Sequence, residues 1–337
     1  MRKAEVILEY QQLIAGPPVK PEALYQQACS NDSATINHWW HIWLAHITAN
    51  KSRFGSFAES SIGQEFNKYR YGTAIIAGSG PSLKVNAHEL KNRGQVPLVS
   101  CLHNFHYFED LDLKPEYYVT LDAGPLTIEE VTEGGTKPAE EYWEMTKDRT
   151  LIAYIGSHPD LLKKWRGKIL FFNAPVPNAE LIAKINEIET FSAVMASGGN
   201  VLGACLYFAK AILGVHTTIF VGADFCFSYD YKFHSWDSKY DKDLGHTLSC
   251  TDIYGIRRKT WPSYYNFKGY FDSTVMRIPG LYYNCTEGGC LGAYPEGNIA
   301  ALRYMDLKDC LKHLNANDDI SDWVTKSDSV PFKLLYS

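Results

Sequence analysis

No stretch of this 337-residue chain reaches the roughly eighteen uninterrupted apolar residues that a membrane-spanning helix needs. The opening segment 1–16 has no apolar run long enough for a secretory leader either, because Glu5, Glu9 and Tyr10 interrupt it, so a cytoplasmic protein is expected. Basic runs of five or more are missing, and 33 Lys plus Arg against 38 Asp plus Glu give a formal charge of −5. General binding to nucleic acid is thereby disfavoured, although a local groove is not excluded. The eight cysteines contain no C-x-x-C pair, and several lie inside apolar runs such as 98–102 and 203–209. Buried reduced thiols explain that distribution better than disulfides or zinc. There is no internal repeat, no low-complexity segment, and no G-K-[ST], which excludes a P-loop.

What is present describes a folded chain: 45% apolar and 21% charged residues, with 16 Phe, 8 Trp and 22 Tyr. At roughly 150 residues per domain, the length allows two domains or one large α/β unit with insertions. Residues 1–70 read as a helical extension, broken near Pro17, Pro18 and Pro21, with an aromatic block at His38-Trp-Trp-His-Ile-Trp43. His38, His41 and His46 lack the spacing of an H-E-x-x-H site, and a Trp-rich helical stripe points to packing.

From residue 73 short apolar runs alternate with helix-like stretches. Strands are expected at Thr73–Ala77, Val96–Leu102, Tyr117–Leu121, Leu151–Ile155, Ile169–Asn173 and Thr217–Val221, and helices at Pro81–Arg93, Asn178–Phe191 and Gly199–Leu213. That alternation predicts an α/β fold with a doubly wound, Rossmann-like, mostly parallel sheet over residues 71–225. Residues 226–300, rich in aromatics, Gly and Pro, read as an insertion or lid completing the site, and 301–337 as a C-terminal helix and tail.

Ligands of such sheets bind at the carboxyl ends of the strands. The first candidate there is Gly78-Ser79-Gly80-Pro81-Ser82, a glycine turn in which Gly80 would let a ligand approach the backbone, running from a strand into a helix whose first amides could receive a phosphate or carboxylate. Leu83 stands where the dinucleotide fingerprint needs a third glycine, and the second strand ends in Cys101-Leu-His-Asn104 without an acid for a ribose diol. Nicotinamide binding is therefore disfavoured. A second turn, Ser197-Gly198-Gly199-Asn200, precedes an apolar helix and offers similar amides, or simply caps that helix. Asp122 and Asp224 each follow an apolar strand, where a carboxylate can bind ribose, metal or an acceptor hydroxyl, or cap the next helix. His234, ten residues after Asp224 in an aromatic loop, is a candidate general base or a packed ring. In Glu287-Gly288-Gly289 a carboxylate precedes a turn whose backbone can lie close to a ligand, and a plain surface turn is the alternative.

In order, Ile75-Ile-Ala-Gly-Ser-Gly-Pro-Ser-Leu83, Leu113-Lys-Pro-Glu-Tyr-Tyr-Val-Thr-Leu-Asp122, Ser197-Gly-Gly-Asn-Val201, Ile219-Phe-Val-Gly-Ala-Asp-Phe225 and Asn284-Cys-Thr-Glu-Gly-Gly289 resemble the motility accessory factor (Maf) flagellin glycosyltransferases and the related 6-hydroxymethylpterin diphosphokinase MptE-like domain. The same blocks are similar to bacterial sialyltransferases, with Asn104 ahead of Phe105-His-Tyr-Phe-Glu-Asp110 and with Ser197-Gly198 in the places that hold a cytidine monophosphate sugar. The resemblance implies a nucleotide-dependent transferase. Its first form is a glycosyltransferase that moves a sugar, a nonulosonic acid from a CMP-linked donor, to the hydroxyl of a small-molecule or protein acceptor, with Asp224 and His234 in one catalytic centre, His234 as base, and no metal required. The alternative is a diphosphokinase that moves pyrophosphate from ATP to a pterin hydroxymethyl group, with magnesium held by Asp122 or Asp224. A non-catalytic nucleotide-binding module is the third form. The absence of a Lys or Arg beside either glycine turn favours the first over the triphosphate-using second.

Overall fold

A computed structural model describes residues 21–175, 178–190, 193–236 and 245–315. Pro17, Pro18, part of the aromatic insertion and the tail beyond 315 lie outside them. The chain divides into two compact units, one built from Cys29–Ile76 with Pro97–Val215, the other from the described parts of Met1–Ala28, Ala77–Val96 and His216–Ser337.

The first unit carries five strands: β1 (Thr73–Ala77), β2 (Leu98–Cys101), β3 (Tyr117–Thr120), β4 (Thr150–Tyr154) and β5 (Lys168–Phe172). Pairings β2–β3, β3–β4 and β4–β5 are parallel, and the strands are apolar runs whose residues are almost all buried. Such two-faced burial is what parallel strands covered by helices require. The helix Pro21–Phe54 begins at a proline, whose fixed φ and missing N–H suit a first turn. Its aromatic block packs, as expected: Trp43 meets the edge of Tyr154 with 5.9 Å between ring centroids, and Lys184 lies 4.5 Å over Trp40. Asn50, fully buried, donates to the carbonyls of Ile155 and Ser157 (both 2.9 Å), so the helix is keyed to the end of β4 by polar as well as apolar contacts.

The second unit begins where β1 ends. It holds β6 (Thr217–Val221), the antiparallel ribbon β7 (Leu248–Thr251) and β8 (Arg257–Thr260), then β9 (Leu281–Asn284), the short ribbon β10 (Ala293–Tyr294) and β11 (Gly297–Asn298), and β12 (Arg303–Tyr304). β9 pairs in parallel with β6 and with β12. The strand order of the main sheet is β12-β9-β6-β1-β2-β3-β4-β5, the doubly wound α/β arrangement, with the reversal of direction between β6 and β1. All six strands expected from the sequence are present. The sheet also takes β9 and β12 from residues beyond 225, where the sequence reading had ended the core; these strands are four and two residues long, too short to carry a clear alternating pattern. The helix expected over Pro81–Arg93 is an α-turn at Leu83–Asn86 followed by 3₁₀ turns at Ala87–Asn92, and that over Gly199–Leu213 is Val201–Tyr207 continued by a π segment.

At the reversal point the turns after β1 and β6 meet backbone to backbone. Gly78 N donates to Val221 O and Gly80 N to Gly222 O (both 2.9 Å). Gly222 has φ +59°, and a Cβ placed on it would lie 2.6 Å from both Gly78 O and the Leu83 side chain. Gly222→Ala should therefore cost about 2–5 kcal/mol, from the left-handed backbone and the overlap together, as measured by urea unfolding. Gly255→Ala, at φ +78° with nothing within 4 Å of the new Cβ, should cost only about 1–2 kcal/mol. Equal losses at the two positions would show that the close approach is not what holds the turns.

Candidate functional site

The glycine turn after β1 is held by a carboxylate of the chain itself. Asp224, 5% exposed, accepts from the Ser82 hydroxyl at 2.7 Å and from the Ser82 amide at 3.3 Å, and its side chain fills the space that a Cβ on Gly80 would take. Glycine at position 80 thus admits Asp224; the sequence had suggested that it admits a ligand. Burial pushes the Asp224 carboxyl up to about 7, against the pull of the two Ser82 hydrogen bonds and the charge of Arg258. Ser79, half-buried beside it, makes no hydrogen bond among the described residues through either its amide or its hydroxyl.

Arg258 is a contributor the sequence did not reveal. It lies on β8, whose ribbon partner and turn bring it back toward the end of β6: Phe227 N donates to Lys259 O at 2.9 Å, and Arg258 Nε donates to Asp252 at 2.9 Å. Its guanidinium lies 3.3 Å over the Tyr229 ring, and its Nη1 is buried with no partner among the described residues. This cation, whose charge acts on Asp224, was absent from the linear motif because 34 positions and the β7–β8 ribbon separate Arg258 from Asp224. Tyr229 and Arg258 could have been linked only by knowing how the insertion folds.

The Glu287-Gly288-Gly289 turn comes back onto the same unit's first helix. Asn86, buried, donates to Cys285 O at 2.9 Å and to Glu287 Oε1 at 3.0 Å, and Leu307 N donates to the same oxygen at 2.9 Å. Glu287 therefore caps the helix Leu307–Asn315 while tying it to the segment after the glycine turn. Its Oε2 accepts no hydrogen bond among the described residues. A Cβ on Gly289 would meet Asp224 Cα at 2.5 Å, and one on Gly288 would meet nothing within 4 Å. Phe225 and Glu287 hold left-handed backbones (φ 52° and 57°) that are uncommon away from glycine and mark both turns as constrained.

His234, 3% exposed, is stacked on Trp236 with ring centroids 4.6 Å apart and planes 15° from parallel, and lies 4.0 Å from the Phe233 ring. Phe233 in turn packs on Trp261 and Tyr264. Part of the aromatic richness of the insertion goes into this cluster.

In the other unit each candidate has a local partner. Asn104, fully buried after β2, donates to the Ser100 hydroxyl at 3.0 Å. Exposed Asp122, after β3, accepts from Gly124 N at 2.8 Å in an Asx turn. Asn200 caps the helix Val201–Tyr207 through Gly203 N at 2.8 Å, and its amide closes back on Gly198 O at 3.1 Å. Gly198 and Gly199 have φ +63° and +73°, and Ser197 Oγ accepts from Gly199 N at 3.3 Å. Close to Asp122 the sequence reading passed over Glu130, whose carboxyl is raised to about 8 by burial and by the negative charges of Asp122 and Glu133. Nothing in its helical context, Leu126–Glu130, distinguished it from a solvated acid.

Glu287→Ala should lower stability by about 1–3 kcal/mol, because it strands the Leu307 N–H and removes one of the two acceptors of the Asn86 amide, whereas Glu287→Gln keeps an acceptor oxygen and should cost under about 1 kcal/mol. Thermal denaturation of the two variants checks this; a Gln variant as damaged as the Ala variant would mean that the charge, not the acceptor, matters there.

A search of curated proteins found no match. Among solved structures the chain is similar to the MAf glycosyltransferase from Magnetospirillum magneticum AMB-1, with 13% identity and a TM-score of 0.54 over 82% of this chain. The match takes in 42% of that longer chain, and at this identity the likeness is one of fold. No helix among the described residues is long and apolar enough to cross a membrane. The family model for 6-hydroxymethylpterin diphosphokinase MptE-like proteins matches residues 50–230, more than half of the sequence and including both the Gly78–Ser82 turn and Asp224, and the chain belongs to that family.

Proposed function

We propose that the chain is a nucleotide-dependent transferase whose nucleotide phosphate binds at the Ser79 edge of the Gly78–Ser82 turn. The reading rests on two features of the same unit: an amide and hydroxyl on Ser79 that make no hydrogen bond among the described residues, and Arg258, a cation whose Nη1 has no described partner and whose charge acts on Asp224, the residue that holds Ser82 of the same turn. Asp224 positions the turn through its two hydrogen bonds to Ser82.

The reaction favoured is glycosyl transfer from a CMP-linked nonulosonic acid, in keeping with the fold shared with a MAf glycosyltransferase. The acceptor oxygen bonds to the anomeric carbon as the bond from that carbon to the phosphate oxygen breaks. His234 takes the acceptor proton, and the Ser79 amide and Arg258 stabilise the departing phosphate. Glu287 Oε2 is available to a donor or acceptor hydroxyl. For Asn104 and the Ser197–Asn200 turn, taken by themselves in the other unit, the sialyltransferase-like pattern of their motifs is what supports a nucleotide-binding role. The second reading, pyrophosphate transfer from ATP to a pterin hydroxymethyl group, is favoured by the family description and by exposed Asp122, a carboxylate open to magnesium.

Nucleotide-dependent melting separates these. CMP without metal should raise the melting temperature, and the rise should be lost in Arg258→Ala. A rise with ATP only in the presence of magnesium would replace sugar transfer with pyrophosphate transfer, and no rise with either would overturn the nucleotide-dependent transferase reading. In the same series, His234→Ala should keep the CMP-induced shift while CMP release from a CMP-linked nonulosonic acid falls about 10²- to 10⁴-fold. Undiminished release would assign the ring to aromatic packing alone.

A further inference from the structure

The cysteines of the second unit do not simply scatter through an apolar core. Cys226, Cys250 and Cys290 place their sulfurs within 4.8 Å of one another, and all three are buried, between 0 and 5% exposed. They come from three separate segments: the turn after Asp224, strand β7, and the turn after Gly289. No local pattern marks them as a group, because they are 24 and 40 positions apart and none is in a C-x-x-C pair. The other described thiols offer at most pairs, Cys101 with Cys205 and Cys285 with Cys310.

The convergence is held by the backbone. Cys290 N donates to Asp224 O at 2.8 Å, Ile253 N to Gly289 O at 2.9 Å and Phe227 N to Lys259 O at 2.9 Å, so each of the three segments is tied to another. The left-handed Phe225 turns its carbonyl to the Thr260 hydroxyl at 2.6 Å and to Cys290 Sγ at 3.4 Å. These bonds fix where the sulfurs sit without needing any contact between them.

We propose that Cys226, Cys250 and Cys290 form a mononuclear binding site for a soft, thiolate-preferring cation, zinc being the representative, with a water or other small donor as fourth ligand. A single ion about 2.3 Å from each sulfur sets the sulfurs about 3.8–4.0 Å apart, a spacing that fits the cluster with shifts of under about 1 Å. Thiolate sulfur selects zinc and other soft ions over magnesium or calcium, so the site is distinct from any carboxylate site for nucleotide-bound magnesium. On binding, each of the three thiols gives up its proton to solvent and coordinates as thiolate, leaving a centre of net charge −1. Lys268, buried on the helix Pro262–Arg277 and paired with Asp272 at 2.7 Å, supplies positive charge that acts on both Cys250 and Cys290. The function of the ion is to lock together the turns that carry Asp224, Glu287 and the Arg258 ribbon.

The test uses the full chain, purified anaerobically without chelator. Elemental analysis should find close to one zinc per chain, and replacement by Co²⁺ should give intense thiolate-to-cobalt charge-transfer absorption with the visible bands of a four-coordinate ion. Cys226→Ser, Cys250→Ser and Cys290→Ser should each lose the metal or the charge-transfer band, and Cys310→Ser should retain both. Because a serine variant could fail to fold, the wild-type protein is also read directly: a strong chelator should lower its melting temperature, and added Zn²⁺ should restore it. Absence of bound metal together with no Co²⁺ spectrum on reconstitution would overturn the proposal. So would a disulfide between any two of the three cysteines, found by mass spectrometry of the unreduced chain, or metal retained at full occupancy in all three variants.

Discussion

Two glycine turns pressed together at the reversal of the sheet set the terms for everything near them. Gly78 and Gly222 approach so closely that neither tolerates a Cβ without meeting the other's carbonyl, and the paired bonds from Gly78 N and Gly80 N leave the turns no room to slide. That contact brings Asp224 under Ser82, and the buried carboxylate then holds the start of the following helix. A charge so placed has a cost, visible in the upward shift of its pKa, and the two Ser82 hydrogen bonds with the nearby Arg258 charge offset part of it.

From that contact outward, the second unit is a series of turns tied to Asp224 and its neighbours. Gly289 lies against the Asp224 backbone, Cys290 N bonds to its carbonyl, and Phe227 joins the β7–β8 ribbon to the same stretch. The turn that carries Ser79 and the thiol cluster are therefore both tied to one short segment, residues 222–227. A change that loosens this segment should be felt by both.

The six core strands and the glycine turns were legible because each strand is a short apolar run and each turn needs Gly in a place that local chemistry demands. The aromatic block at residues 38–43 was likewise readable as packing. β9 and β12 were not, being too short to stand out among the aromatics of 226–300. The role of Asp224 was half legible: its place at a strand's carboxyl end could be read, but not that its partner would be Ser82, 142 residues away in sequence. Arg258, Glu130 and the cysteine cluster were hidden for the same reason. Their character comes from neighbours brought by tertiary folding, and no local pattern records a distant neighbour. Glu287 shows the reverse: the Glu-Gly-Gly turn was conspicuous, yet one of its oxygens caps a helix that the motif does not mention.

The central claim is that the turn built on Asp224 presents its Ser79 edge and Arg258 to a nucleotide phosphate. A crystal structure of the chain with CMP tests it most directly. The phosphate is expected within hydrogen-bonding distance of the Ser79 amide and the Arg258 guanidinium, with Asp224 still bonded to Ser82. Ordered CMP whose phosphate lies away from both groups would contradict it.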